Sequence, residues 1–187
     1  MALKFIVPVL ALLTMAAPAQ AAGFDSAYTD INLDECSVAT ADDFGSSWAC
    51  PGYKGYPVYV AEGDLRMFVS YGFGAQTEMA AQQTPPPFNT LGPKIEWRLS
   101  NASGGFKPIA TIVRYLTEWD GSGPTIKGQV LVVTQLVSGN TCHIAYIDAL
   151  ANADANEQAR AIADKSGTFD CQNDAIQFSK KFTAWDN

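Results

Sequence analysis

Residues 107–119, KPIATIVRYLTEW, and residues 125–137, TIKGQVLVVTQLV, decide the predicted fold. In the first stretch the two sets of alternating side chains differ, as expected for a strand with two unlike faces. The second stretch is apolar on both faces over residues 130–137, and so is HIAYIDAL over residues 143–150. Strands of that kind are typical of the centre of a sheet that is covered on both sides.

The stretch 107–119 is amphipathic in its outer half. One face carries Ile109, Thr111, Val113, Tyr115, Thr117 and Trp119, and the other carries Ala110, Ile112, Arg114, Leu116 and Glu118. The second face therefore changes from apolar to largely polar along the strand.

The surrounding sequence predicts an antiparallel arrangement. The turn sequences NASGGF (101–106), DGSGP (120–124) and SGN (138–140) separate four candidate strands, the first of which is KIEWRL (94–99). Further upstream, PVYVAEGDLRMFVSY (57–71) predicts a hairpin around Glu62, Gly63 and Asp64.

One helix is predicted after residue 153. Asp154 and Glu157 form a capping-box pattern, the small and apolar residues Ala155, Ala159, Ile162 and Ala163 follow at helical spacing, and Gly167 is the expected C-cap. The fold class is thus α+β: an antiparallel sheet of about six to eight strands, which could be strongly curved, with one main helix packed on it.

The chain divides into two parts. Residues 1–21 predict a secretory signal peptide, with Lys4 before an apolar stretch and Ala19-Gln20-Ala21 as the cleavage pattern. Residues 22–187 predict a single β-rich domain with a long proline-rich loop at residues 72–93. Residues 22–29 are expected to be mobile, and the tail 175–185 is compatible with a strand or a short helix.

Four cysteines in an exported chain predict two disulfides. The pairs Cys36–Cys50 and Cys142–Cys171 are favoured because each closes a local loop around a turn, although three pairings are possible. Close CxxC or His spacing for zinc is lacking, so no metal and no cofactor are predicted. The expected location is the periplasm or the exterior of the cell.

The charge restricts the partners. The chain carries 19 acidic and 12 basic residues, a net charge of −7. Without residues 1–21, which contain one lysine and no acidic residue, the charge becomes −8. This disfavours binding to nucleic acid or to anionic lipid, and the apolar stretch of the signal is too short for a membrane span. A basic protein and an envelope component remain candidate partners, and the oligomeric state is left open.

The sequence lacks the GxSxG, SxxK, HExxH and P-loop motifs. Its single histidine, His143, lies in an apolar strand, which more often makes a histidine a core residue than a catalyst. The catalytic alternative pairs His143 with a nearby carboxylate such as Asp148 as general acid and base.

The aromatic turn WACPGYKGYPVYV (48–60) is the best candidate for a contact surface. Tyr53, Lys54 and Tyr56 are its most exposed residues by expectation, and tyrosine is enriched at interfaces. The same residues would also suit a disulfide-clamped turn whose rings cover the core.

Three segments carry a resemblance to known sequences: residues 42–72, IEWRL (95–99), and CHIAYIDALANADANEQARAIAD (142–164). They resemble a family of uncharacterised exported, periplasmic proteins of alphaproteobacteria. The resemblance implies a small disulfide-bonded periplasmic domain, and it transfers no activity and no catalytic residue.

Taken together, these features predict an exported, soluble, non-catalytic binding or inhibitory module. Two alternatives stay open: an envelope-directed hydrolase that uses His143, and a structural subunit of an envelope complex.

Overall fold

The computed structural model of the chain describes residues 23–120 and 124–185. The predicted signal peptide, residues 1–21, lies outside the described residues. The described strands are β1 (Phe24–Asp30), β2 (Ser37–Asp42), β3 (Gly45–Pro51), β4 (Pro57–Gly63), β5 (Arg66–Tyr71), β6 (Phe88–Ser100), β7 (Lys107–Trp119), β8 (Ile126–Gln135), β9 (His143–Asp148) and β10 (Gln177–Phe178). The α-helix α1 (Ala155–Ala163) lies between β9 and β10.

The strands form two sheets. One has the order β1-β6-β7-β8-β9-β10 and the other the order β2-β3-β4-β5. Neighbouring strands are antiparallel, except that β10 runs parallel to β9. The α+β class is confirmed, whereas the expectation of a single sheet is wrong. Alternation along a strand shows which side chains share a face, but not which sheet the strand joins.

The two sheets enclose a common apolar core. Trp97 on β6 is fully buried, and the rings of Tyr56 and Tyr71 contact it edge-on with centroid distances of 5.7 and 5.6 Å. The indole Nε1 of Trp97 donates a hydrogen bond of 2.8 Å to Thr29 Oγ1 on β1. The expectation that residues 22–29 are mobile is therefore wrong from Phe24 onwards, because these residues belong to the edge strand β1.

Helix α1 covers the opposite face of the six-stranded sheet. Its buried side chains are alanines, at positions 155, 159 and 163. They pack in one cluster with Ala110 and Ile112 of β7, Leu131 and Val133 of β8, and Ala145 and Ile147 of β9. Small side chains on this face let the helix axis lie close to the sheet.

Two ion pairs hold α1 and the residue after it against β6. Arg98 donates two hydrogen bonds to Asp164, of 2.9 and 2.8 Å, and Arg160 donates to Glu96 at 2.6 and 3.2 Å. Burial alone would raise the pKa of Glu96, but the hydrogen bonds from Arg160 and Ser26 hold that pKa below its ordinary value. Glu96 therefore stabilises the fold above its ordinary pKa, and this contribution is lost as the pH falls through the lowered value.

The helix ends differ from the prediction. Asp154 lies at the N-cap, but its side chain accepts a hydrogen bond from Gln158 Nε2 at 2.8 Å and caps no backbone N–H. The helix stops at Ala163, and Gly167 lies in a following 3-10 turn without a left-handed backbone.

The proline-rich segment is shorter than the predicted loop 72–93, because β6 already begins at Phe88. It contains two 3-10 turns, Ala75–Thr77 and Met79–Gln82. Between them, the buried carboxylate of Glu78 accepts hydrogen bonds from the backbone N–H groups of Gly139 and Thr141, at 2.6 and 2.9 Å. The segment thus packs on the turn between β8 and β9.

Asn89 satisfies the backbone of the proline run. A run of prolines cannot form a regular backbone hydrogen-bond ladder, so its buried carbonyl groups need donors such as side chains. The Nδ2 of buried Asn89 donates to the carbonyl oxygens of Pro85 and Pro87 at 3.2 and 2.8 Å, and its Oδ1 accepts from the backbone N–H of Met67 at 3.0 Å. One side chain therefore joins β5, the proline run and β6.

Both disulfides are present with the favoured pairing, Cys36–Cys50 and Cys142–Cys171. Two disulfides are typical of a protein that folds in an oxidising compartment. Within residues 23–120 and 124–185, no helix has the length and apolar character of a membrane span.

Replacement of Asn89 by leucine tests the role of this side chain. The substitution keeps a similar volume but leaves three buried backbone groups without partners, so we expect a loss of about 2–4 kcal/mol in the free energy of unfolding. The neighbouring substitution Thr90→Val, at an exposed position, is expected to change it by less than about 0.5 kcal/mol. Urea denaturation of both variants measures the difference, and equal small effects would contradict the assignment.

Candidate functional site

The predicted aromatic contact residues lie in a 3-10 turn, Tyr53–Gly55, and the residue after it. The half-buried rings of Tyr53 and Tyr56 pack against Trp97, with centroid distances of 6.4 and 5.7 Å. Lys54 is exposed, with a left-handed backbone (φ 49°) and its Nζ 5.2 Å from the centre of the Tyr53 ring. The two tyrosines thus cover the central tryptophan, and Lys54 and Gly55 are exposed to solvent.

His143 is sealed in the core. The residue is only 1% exposed, and its imidazole Nδ1 lies 3.0 Å from the hydroxyl oxygen of Tyr146. No described residue forms a hydrogen bond with its Nε2. Burial lowers the pKa of His143 to about 3, so the imidazole is neutral at physiological pH.

Asp148, the carboxylate considered as its partner, is occupied elsewhere. Its Oδ1 accepts hydrogen bonds from the backbone N–H groups of Leu150 and Ala151, and its Oδ2 accepts from the N–H and hydroxyl of Thr183. Among the described residues, no hydrogen bond joins Asp148 to His143. The structure therefore does not assemble the exposed acid–base pair that the hydrolase alternative requires.

A cleft of about 580 Å³ opens on the helix-side face of the six-stranded sheet, and we call it the tip cleft. Its apolar lining includes Leu65, Phe88, Leu116 and Leu150, and its charged lining is Glu62, Glu118 and Lys127. Leu65 belongs to the turn between β4 and β5, which reaches the start of β6 because the backbone N–H of Asn89 donates to the carbonyl of Leu65 at 3.0 Å.

The cleft exists because α1 is much shorter than the strands below it. Nine helical residues extend about 14 Å, whereas the thirteen residues of β7 extend about 40 Å. On β7 the face that packs against the helix continues past Ile112 to Leu116 and Glu118. Leu116 pairs with Thr90 and Gln129, and Glu118 pairs with Phe88 and Lys127, so these side chains share the uncovered part of that face.

The apolar residues of the cleft are unusually accessible. Leu65 is 65% exposed, Leu150 63%, Leu116 42% and Phe88 38%. Single exposed apolar residues are common on protein surfaces, but four of them around one concavity form the kind of patch that marks a binding surface. The volume and mixed lining also fit a site for a small molecule or for a few side chains of a partner.

Leu65 holds an unfavourable backbone conformation. It has φ 59°, and Asp64 before it has φ 52°, so both central residues of this hairpin turn are left-handed. Asparagine and glycine are the usual residues there, and a leucine costs conformational energy. Strained residues of this kind cluster at functional sites, so the placement of Leu65 in the cleft is a second indication of function.

A second depression adjoins the cleft and shares Glu62 and Leu65 with it. It is lined by Asp42, Asp43, Asp64 and Phe44, at the tip of the hairpin formed by β2 and β3. Glu118 pairs with Lys127 at 3.0 Å, and Asp64 pairs with Arg66. The other three carboxylates, at positions 42, 43 and 62, have no cationic partner among the described residues.

Sequence reasoning missed the tip cleft, because it joins residues from five separate regions of the chain. One signal was available: Leu116 is an apolar residue between Arg114 and Glu118 on the face that turns polar along β7. An apolar side chain at such a position is either covered by another element or available for binding. The turn at Asp64 and Leu65 offered no such signal, since its backbone conformation is unusual for its sequence.

Comparisons with protein-family models, with curated proteins and with solved structures found no match for this chain. Among the described residues, no three His, Cys, Asp or Glu side chains form a group that could hold a metal ion.

The burial of His143 predicts acid sensitivity. Because the folded-state pKa is lowered to about 3, from an ordinary 6.5, the unfolded chain binds the proton more readily. The free energy of unfolding is therefore unaffected by His143 above pH 6.5 and decreases as the pH drops towards 3, with a slope of up to about 1.4 kcal/mol per pH unit. Between pH 6 and 5 most carboxylates are still ionised, so the slope in this window reports mainly on His143.

The variant His143→Phe removes the titrating group and keeps an aromatic ring. Urea denaturation at several pH values should show a clear loss of stability between pH 6 and 5 for the wild type and a much flatter dependence for the variant. Equal slopes would contradict the burial of a neutral imidazole.

Proposed function

We propose that the chain is a non-catalytic binding module of the periplasm and that the tip cleft is its contact surface. The predicted signal peptide and the resemblance to exported alphaproteobacterial proteins support a periplasmic location, and the two disulfides are consistent with it. The absence of sequence motifs for the common hydrolases, together with the sealed position of His143, favours binding over catalysis.

One observation carries the proposal: Leu65, Phe88, Leu116 and Leu150 surround a concave surface that α1 is too short to cover. Contact with an apolar ligand or side chain would remove this surface from water, with a gain of about 25 cal/mol for each Å² buried. Since two strands and two connecting segments contribute these residues, a ligand would meet a largely rigid wall.

The cleft is a better contact surface than the aromatic turn. Tyr53 and Tyr56 already use their rings to cover Trp97, so a partner gains little further apolar burial from them. Leu65, in contrast, is kept exposed in a strained backbone conformation that contributes nothing evident to the core. Strain of this kind is retained when function depends on it.

The substitution Leu65→Asn separates binding from stability. Asparagine tolerates a left-handed backbone, so we expect the variant to be more stable by about 0.5–1 kcal/mol and yet to bind apolar ligands more weakly. The measurement is the fluorescence enhancement of Nile red, a neutral apolar probe, together with urea denaturation. Lys54→Asn is the matched control, because Lys54 also has a left-handed backbone and should leave probe binding unchanged.

A second pair of variants tests the location of the site. Leu116→Asp with Leu150→Asp should weaken Nile red binding at least about tenfold, because charges enter the apolar lining. Val38→Asp with Phe73→Asp makes the same change of charge at exposed apolar residues outside the cleft and should preserve binding. Similar losses in both double variants, or no enhancement by the wild type, would refute the cleft as a binding surface.

A further inference from the structure

We propose that the partner of the tip cleft is a protein segment that combines apolar side chains with lysine or arginine. This inference rests on the proposed function and adds the chemistry of the ligand. It commits to a basic, apolar-anchored peptide segment, in preference to a lipid or an uncharged small molecule.

The charge around the cleft supports a cationic partner. Five carboxylates, at positions 42, 43, 62, 64 and 118, line the two adjoining depressions, and Lys127 is the one described cation in their lining. Lys127 and Arg66 each pair with one of these carboxylates, whereas Asp42, Asp43 and Glu62 form no ion pair with a described residue and can attract a ligand cation. An acidic segment would instead meet uncompensated repulsion from these three groups.

Two of the free carboxylates are held in place by backbone groups. The Oδ1 of Asp42 accepts hydrogen bonds from the backbone N–H groups of Phe44 and Gly45, at 2.8 and 3.2 Å. The Oε1 of Glu62 accepts from the backbone N–H of Leu65 at 3.2 Å. Neutral donors orient these carboxylates without cancelling their charge. Binding of a cation therefore costs little side-chain conformational entropy.

Apolar and acidic groups alternate along this surface. Phe44 is 91% exposed beside Asp42 and Asp43, and Leu65 lies in both depressions. A segment that crosses from the cleft to the second depression would place apolar side chains near Leu116 and near Phe44, and cations between them near Glu62. An anionic lipid surface would be repelled by the same carboxylates.

Three synthetic peptides with one apolar pattern of leucine and phenylalanine test the inference. They differ only in their polar positions, which carry lysine, glutamine or glutamate. Isothermal titration calorimetry with the wild-type protein should give the order lysine, then glutamine, then glutamate, with roughly tenfold or more between the first and last at low salt. The preference should shrink when salt rises from roughly 0.02 to 0.5 M, because exposed charges are screened.

The triple variant Asp42→Asn, Asp43→Asn, Glu62→Gln keeps the hydrogen-bond acceptors and removes the three charges. It should lose most of the preference for the lysine peptide. The matched control Asp34→Asn, Glu35→Gln, Glu157→Gln makes the same change of net charge at exposed residues that line neither depression, and it should retain the preference.

The outcomes separate this inference from the proposed function. Equal binding of the lysine and glutamate peptides, or an equal loss of preference in the control, would overturn the cationic partner while Nile red binding still supports the cleft. Failure of all three peptides together with binding to phosphatidylcholine vesicles would overturn it in favour of a lipid surface. Failure of Nile red itself would refute the proposed function.

Discussion

The six-stranded sheet needs cover on both faces, and within the part of the chain that the structure describes nine α-helical residues cover one of them. Strands β8 and β9 are apolar on both sides and would be costly to leave in water. On one side the four-stranded sheet and the C-terminal residues Ala184 and Trp185 form a shared apolar core with them and with β6 around Trp97. On the other side α1 covers the half of the sheet nearest to Ala110 and Val133. The half that α1 leaves uncovered contributes residues to the lining of the tip cleft.

The position of α1 decides where that cleft lies. The alanine face of the helix would fit several places on an apolar sheet, but the ion pairs from Arg98 and Arg160 fix it beside β6. Arg98 and Glu96 are largely buried, so each depends on its partner for compensation of its charge. At the other end, Asn89 joins the turn of β4 and β5 to β6 and thereby supplies the second wall of the cleft.

Much of the fold could be predicted from the sequence, because its strongest signals are local. The alternation in β7, the two-sided apolar runs of β8 and β9, the hairpin of β4 and β5, and both disulfides were predicted from neighbouring residues. Strand β1 was missed because its sequence, FDSAYTD, is weakly apolar and its partner β6 lies about 70 residues away. The division into two sheets is likewise a long-range property, which the periodicity of single strands does not contain.

The candidate site was less predictable for the same reason. The sequence favours the aromatic turn because its residue types are concentrated in one short stretch, whereas in the structure Tyr53 and Tyr56 pack against the core. The cleft depends on the length of a helix relative to a strand, on the placement of that helix by two ion pairs, and on one leucine with a left-handed backbone. None of these is visible in local composition.

The central claim is that the uncovered half of the sheet, and not the aromatic turn, is the contact surface. Backbone amide NMR spectra of the wild-type protein, recorded during titration with the lysine peptide, test it most directly. The account predicts shifts concentrated at residues 62–66, 88–90, 116–118 and 127–129, with little change at 53–56. Shifts concentrated at Tyr53, Lys54 and Tyr56, with an unperturbed cleft, would contradict it.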